Sequence, residues 1–564
     1  MALPPFTLLQ VGTDLMSTVD ANKKDYDGLV ILFSDKNKLI PLVPGFQPYI
    51  DLDKSFGKTL QLVCLQDQAP FSRILIAPVG SLSSDVDDAR RFKDTAFEAG
   101  KRCLEAGLMA PLVCFTDAPT DLSSLDWTFD GTNDFKHYLE VTILGFLEAC
   151  YEPIDVRNSR TDIKTFTRLG FVAPSLPEDD LIQKVRAIEE GRRVSKDIGS
   201  PDPEQMSPIQ IVKYLESIFR NDKNVTMTVV DDIDVIGKEY PLAHAVARAS
   251  LVGKLKVLWK DMDSPLLFDE SLVPRHHPRI VHFEYRSADQ ARVKENLYFV
   301  GKGVTYDTGG TDIKCDGHMR GMSRDKCGAA AVAGFFKTIE LLQPKGVNAS
   351  AALALVRNSV GPDSYVSDEI IVSRNGNRVL VSNTDAEGRM AMTDLLCEFK
   401  ERALAYSKTP SPASDKPALL FTVATLTGHA LRAYGGYGAT LDNGMARKLK
   451  VSRRIHDAGH LFADPFEVST LRREDINVVQ PGRSSEDVIQ GNAKSAMVDR
   501  GHQYPAGFMV IASGLDKHGL HDKVPLAYTH LDIAGSAETM TAVGWSLTRV
   551  TGSPVVALTG AFLL

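Results

Sequence analysis

Two apolar runs constrain this chain more than any other feature. Ala349–Val356 and Ala418–Ala424 each contain a single polar side chain, Ser350 and Thr422. Short runs without polar alternation predict strands covered on both faces, the habit of parallel sheets with helices packed on either side. Cys327–Leu342, rich in small residues, predicts a buried helix beside them, and Arg279–Tyr285 and Leu297–Val300 predict further strands. Ile370–Ser373 and Arg378–Val381 flank Asn375-Gly376, a strong hairpin signal. The fold class expected is α/β with a mixed central sheet.

Residues 1–180 read as a smaller α/β domain. Apolar runs such as Gly28–Phe33 and Ile74–Val79 alternate with helical segments such as Asp88–Leu108. The opening MALPPFTLLQVGTDL is apolar but has no basic lead, so it predicts a first strand and no secretory signal. The charged stretch Asp179–Val194 predicts a helix joining this domain to a larger catalytic domain, residues 181–564. The turn-forming SKDIGSPDPEQMSP ends that helix.

Charge and cysteine usage narrow the function classes. The chain carries a net −8, and residues 1–180 hold 17 Lys/Arg against 27 Asp/Glu, or −10, leaving about +2 for the rest. Phosphate repulsion makes nucleic acid an unexpected partner. Seven cysteines at wide spacing, with no CxxC, point to reduced thiols rather than a disulfide framework. No uncharged stretch is long enough to span a bilayer. A soluble cytoplasmic protein with no membrane contact is expected.

Chemistry concentrates in two segments. Gly301–Gly334 reads GKGVTYDTGGTDIKCDGHMRGMSRDKCGAAAVAG, and Asn383–Arg389 reads NTDAEGR. Asp385 and Glu387 are two apart, so in an extended or turning backbone they point to one side, and Arg389 continues that period. Lys302 stands at a strand end, Asp307 in a glycine-rich turn, Lys314 beyond it, and Asp325 just before the apolar helix. Four carboxylates gathered in one place must take up protons or hold cations. Their hard oxygen donors suit Mg²⁺, Mn²⁺ or Zn²⁺. Each residue alone has a plainer reading: Asp325 as a helix cap, Asp307 as a turn former, Asp385 with Arg389 as an ion pair. Gly301-Lys302-Gly303 invites a phosphate-loop reading, but neither the dinucleotide nor the Walker spacing is completed. No HExxH or GxSxG occurs.

The same segments resemble the leucyl aminopeptidase family of dinuclear-metal enzymes. NTDAEGR is that family's signature, and GKGVTYDTGG, DIK and SRDKCGAAAV are similar to its first metal segment, in order and in spacing. Weaker similarity extends through ATLTG (424–428) and HLDIAG (530–535). The resemblance implies that Asp307 and Glu387 bridge two divalent ions, Zn²⁺ or Mn²⁺ with Mg²⁺ or Co²⁺ also admissible. Lys302, as a neutral amine, and Asp325 would complete the tighter site, and Asp385 the exchangeable one. Lys314 would bind the developing oxyanion, and Arg389 would hold a bicarbonate acting as general base. Met322, Thr425, Leu426 and Gly428 would surround substrate and anion. The implied activity is release of single amino-terminal residues, leucine and similar apolar ones first, from peptides by attack of a metal-bridging hydroxide. The implied assembly is a homohexamer, with residues 1–180 serving assembly and access.

Three departures from the family pattern are visible. Lys326 follows Asp325 where an apolar residue is commoner, and the helix start is expected to turn it outward. Asp312 replaces a small residue and adds negative charge near Lys314. Tyr306 and Thr308 replace Phe and Ser conservatively.

Overall fold

The computed structural model describes residues 3–12, 14–65, 71–82, 86–116, 134–173, 180–200, 202–220, 224–251, 255–257, 268–270, 274–491, 498–540 and 548–564. Contacts divide the chain into two compact units, Met1–Glu190 with Asp457–Pro465, and Gly191–His456 with Phe466–Leu564. The division falls inside a helix, Leu181–Ile198, which runs four residues past the expected end at Val194, while Asp179 lies outside the described residues.

The first unit is built on six strands, β1 (Phe6–Gln10), β2 (Gly28–Phe33), β3 (Gln61–Cys64), β4 (Arg73–Pro78), β5 (Pro111–Phe115) and β6 (Leu169–Ala173). Their order is β1-β6-β5-β2-β4-β3, parallel except for β3 against β4. β2 and β5 are buried along their whole length, as unbroken apolar runs require. Asp457–Pro465 belongs here although it is remote in sequence. His460 Nε2 lies 3.1 Å from the buried Asp134 Oδ1, and Phe462 stacks on His137 at 4.0 Å.

The second unit contains β7 (Val225–Val230), β8 (Leu255–Val257), β9 (Phe268–Glu270), β10 (Arg279–Tyr285), β11 (Glu295–Asp307), β12 (Val347–Asn358), β13 (Ile370–Val372), β14 (Arg378–Leu380), β15 (Ala418–Ala424), β16 (Gly438–Asp442), β17 (Phe466–Thr470), β18 (Val488–Ile489) and β19 (Ala527–Asp532). Eight of them form one mixed sheet in the order β17-β16-β19-β15-β11-β12-β10-β7. Its centre, β19-β15-β11-β12, is parallel throughout. β13 and β14 form the hairpin expected around Asn375-Gly376, with Ile370 opposite Leu380 and Gly376 at φ +86°.

Parallel pairing brings four carboxyl ends to one edge. β11 ends at Asp307, β12 at Asn358, β15 at Ala424 just before Thr425, and β19 at Asp532. Open α/β sheets place their sites at such an edge. The register of β11 on β12 shifts between Val304 and Asp307, an irregularity of the kind that re-aims a strand end. The helix Cys327–Leu342 packs directly onto β11. A Cβ on Gly301 would lie 2.6 Å from Ala329 Cα, and one on Gly328 would lie 2.1 Å from the Val423 carbonyl oxygen. The small residues therefore set how close the helix, and Asp325 just ahead of it, comes to Lys302. Among the described residues no helix is long and apolar enough to cross a membrane.

Candidate metal centre

Lys302 sits inside β11, not in a loop, which removes the phosphate-loop reading of its flanking glycines. Its ammonium group is buried. Nζ lies 2.7 Å from Asp325 Oδ1 and 2.8 Å from Glu387 Oε1, and donates to the Thr425 carbonyl at 3.0 Å. Lys314 reaches the same cluster from the following loop, 2.9 Å from Asp307 Oδ2 and 2.5 Å from Asp385 Oδ1. Asp307, Asp325 and Glu387 each offer an oxygen, all within 4.8 Å of one another. The residues assigned from sequence as metal ligands, together with Lys314, thus meet at the sheet edge.

The plainer readings fare differently. Asp307 does hold a turn, accepting the Gly309 N–H at 2.9 Å through Oδ1. Asp325 is not the helix cap, because Lys326 takes that position and no side-chain cap bond forms. The cation facing Asp385 is Lys314. Arg389 also departs from the alternating period. Glu387 opens the helix Glu387–Tyr406, so each further residue turns about 100° and a spacing of two no longer shares a face. The Arg389 guanidinium donates to the Gln490 carbonyl at 2.8 Å through Nη1, and its buried Nε has no hydrogen-bond partner among the described residues.

The electrostatics are those of a site short of positive charge. Four carboxylates face two ammonium groups. Burial raises the pKa of Asp307 and, well above the usual range, that of Asp325, and Glu387 adds to both. Burial, then Asp307 and Glu387, push Asp385 up to about 7. Burial would raise Glu387 too, but Lys302 and Lys314 outweigh it and hold Glu387 below its ordinary value. Both lysines are raised, the carboxylates overcoming a burial effect of opposite sign. Asp325 Oδ2 is buried with no hydrogen-bond partner among the described residues. This donor set fits divalent cations. Lys302 holds its proton firmly among these anions, so serving as a neutral ligand requires an ion to displace that proton.

Of the four residues expected to surround substrate and anion, Thr425 contacts a carboxylate of the cluster directly. The Thr425 hydroxyl donates to Asp325 Oδ1 at 2.8 Å. Leu426 touches the cluster through Gly388, where a Cβ would lie 2.7 Å from Leu426 Cδ1 and 2.6 Å from Lys302 Cε. Met322 opens the short helical turn that leads to Asp325, and Gly428 opens the helix Gly428–Tyr434. Gly388→Ala is expected to displace Lys302 from Glu387. Such crowding costs about 1–3 kcal/mol of stability, and misplacement of this size lowers turnover about 10²-fold. Thermal midpoint and kcat/KM on leucine amide measure the two effects.

Lys326 corrects an expectation. It does not turn outward but is completely buried, donating to the Ser200 carbonyl at 2.9 Å and to the Ser323 carbonyl. Burial pulls its pKa down to about 8. The helix begins only at Cys327, and the Lys326 side chain points inward, to the carbonyls of Ser200 and Ser323. Sequence reading also missed several supports. Asn358 donates through Nδ2 to Asp307 Oδ1 at 2.8 Å and to the Thr384 carbonyl at 3.1 Å. Gln490 accepts the N–H groups of Ser382 and Asn383 and donates to the Ala386 carbonyl. Asp532 accepts the Thr427 hydroxyl at 2.6 Å and the Leu426 N–H at 3.2 Å. Asn358 and Asp532 each end a strand beside the site, a signal visible only once the strands are placed.

Residues 271–559 match the cytosol aminopeptidase family, catalytic domain. The chain belongs to this family. A Caenorhabditis elegans protein named as an aminopeptidase, W07G4.4, is 35% identical over 522 residues, 90% of this chain and 91% of that protein. A Campylobacter jejuni protein named as a cytosol aminopeptidase is 25% identical over 366 residues, 65% of this chain and 64% of that protein. The fold is similar to that of a tomato leucine aminopeptidase mutant, with a TM-score of 0.71 at 18% identity over 100% of this chain and 97% of that one. It is also similar to the bottromycin maturation enzyme BotP in complex with Mn, with a TM-score of 0.70 at 18% identity over 95% of this chain and 99% of that one. As a member of the cytosol aminopeptidase family, the chain is a metal-dependent aminopeptidase.

Proposed function

We propose that this cytosol aminopeptidase binds two divalent ions among Lys302, Asp307, Asp325, Asp385 and Glu387. It would release single leucine-like residues from peptides with a free amino end, in the cytoplasm. The observation that carries this reading is the surplus of buried carboxylate over ammonium, with Asp325 Oδ2 left unbonded among the described residues. Following the family resemblance, Asp307 and Glu387 would be shared, Lys302 and Asp325 would complete the tighter position, and Asp385 the exchangeable one. Zn²⁺ or Mn²⁺ suits this mixed nitrogen and oxygen set. Once bound, the ions supply the Lewis acidity that acidifies water and polarises a carbonyl.

The chain's own residues do the rest. Lys314, held as an ammonium beside Asp307 and Asp385, donates to the carbonyl oxygen as negative charge develops there. Arg389, with a buried Nε–H that has no partner among the described residues, is the residue that would hold a bicarbonate as general base. Met322, Thr425, Leu426 and Gly428 border the space for the first residue and the anion. Methylene differences in such a pocket discriminate by only about 1–3 kcal/mol, so leucine preference coexists with breadth. A homohexamer is proposed from the same resemblance, with residues 1–180 serving assembly and access.

Lys314→Met is expected to lower kcat on leucine amide by about 10²–10³-fold with KM little changed, the signature of a contact made in the transition state. The full chain is expected to bind two Mn²⁺. A variant within a few-fold of the parent, or one that loses KM alone, contradicts the assigned role.

A further inference from the structure

The two segments that bring Asp307 and Asp385 together are far apart in sequence, and their carboxylates repel. Lys314 attracts both, but a lysine stem is flexible and holds no fixed distance. Thr384, adjacent to Asp385 and completely buried, supplies what Lys314 does not. Its hydroxyl donates to the Gly309 carbonyl at 2.7 Å and accepts the Asp312 N–H at 2.8 Å. Its own N–H donates to Asp312 Oδ2 at 2.7 Å, and the same carboxylate oxygen lies 3.1 Å from the hydroxyl. Its carbonyl accepts Asn358 Nδ2 at 3.1 Å and the buried Tyr365 hydroxyl at 2.8 Å. Asn358 Nδ2 also reaches Asp307 Oδ1. Every polar atom of Thr384 is thus bound to the first metal segment or to Asn358, which also grips that segment. Asp312, the acidic residue that departs from the family pattern, is exposed at the rim yet closes this ring.

We propose that Thr384 and Asp312 form a clamp that presets the distance between Asp307 and Asp385, and are positioning residues for the more weakly held ion. The inference rests on the two-ion reading above. Partners that orient ligands commonly change metal affinity by about 10–100-fold when removed. Thr384 and Asp312 share one ring of hydrogen bonds, so their effects should not add.

The test is calorimetric titration of the chelator-treated full chain with Mn²⁺, for the parent, Asp312→Ala, Thr384→Val, Thr384→Ser and the Asp312→Ala/Thr384→Val double variant. Asp312→Ala and Thr384→Val are each expected to weaken the second Mn²⁺ by about 10–100-fold while the first changes only a few-fold. Thr384→Ser, which keeps the hydroxyl, should match the parent, and the double variant should be no worse than the weaker single one. Unchanged second-ion affinity, equal weakening of both ions, or strictly multiplicative effects would overturn the clamp. If Thr384→Val does not fold, Asp312→Ala at the exposed rim decides alone. A parent that takes up fewer than two Mn²⁺ sinks the two-ion reading itself, and the clamp with it.

Discussion

Glu387→Ala is expected to abolish turnover of leucine amide, a fall of more than about 10⁴-fold, the scale seen when one member of a catalytic unit is removed. Glu387 is buried at the start of its helix, and its Oε1 lies 2.8 Å from Lys302 Nζ. It also raises the pKa of Asp307, Asp325 and Asp385, so its charge is felt by every other carboxylate of the cluster. Removing it takes away the donor proposed above to serve both ions, and metal uptake should fall with activity. The fold should survive, because Lys302 keeps Asp325 at 2.7 Å and the remaining carboxylates repel less. Metal content by elemental analysis, activity and thermal midpoint together check this. A variant that keeps even a hundredth of the parent activity would contradict the role.

Acid is expected to destabilise the chain through His530, measured in the presence of a chelator. His530 is completely buried on β19, with Nδ1 2.8 Å from the Thr422 hydroxyl and Nε2 without a partner among the described residues. Burial first, then His502 and Arg389, pull its pKa down to about 3. In the unfolded chain it titrates near 6.5. Above that pH both states are neutral and His530 contributes no slope. As pH falls from about 6.5 toward 3, only the unfolded state takes up the proton, so stability is lost at about 1.4 kcal/mol per unit and about 4–5 kcal/mol in all. His502, lowered to about 4 by burial, Arg500 and His429, acts in the same direction. Asp385 and Asp394, both raised to about 7, act oppositely, because the folded state then binds the extra proton. The informative quantity is therefore a difference. His530→Asn, which keeps a group near the Thr422 hydroxyl, should show a urea-derived stability falling less steeply between pH 6.5 and 4.5, by close to one proton. Parallel slopes would disprove the assignment.

Much of the site was legible because its chemistry is local. Asp307 ends a strand and Lys314 lies on the loop that follows, Asp385 and Glu387 are two apart where a helix begins, and Asp325 is just ahead of an apolar helix whose bounds, Cys327–Leu342, the structure reproduces. What failed was extrapolation across a change of local structure. Arg389 left the two-residue period because the helix starts at Glu387, and Lys326 turned inward because its helix starts one residue later than it stands. Asn358, Gln490 and Asp532 were not singled out as functional. A buried asparagine or aspartate carries no mark of its own until the strands that end in it are laid side by side.

By itself the amino-acid order determined the α/β class, the unbroken central strands, the hairpin at Asn375-Gly376 and the identity of the charged groups, since periodicity and residue type act over a few neighbours. Only the tertiary structure decided that β11, β12, β15 and β19 end at one edge, that Lys302 lies between Asp325 and Glu387, and that Asp457–Pro465 joins a unit hundreds of residues upstream. Those are contacts between distant segments. They are selected by close packing, such as Gly301 against Ala329, and by the shared need of buried carboxylates for positive charge, neither of which any short stretch of sequence expresses.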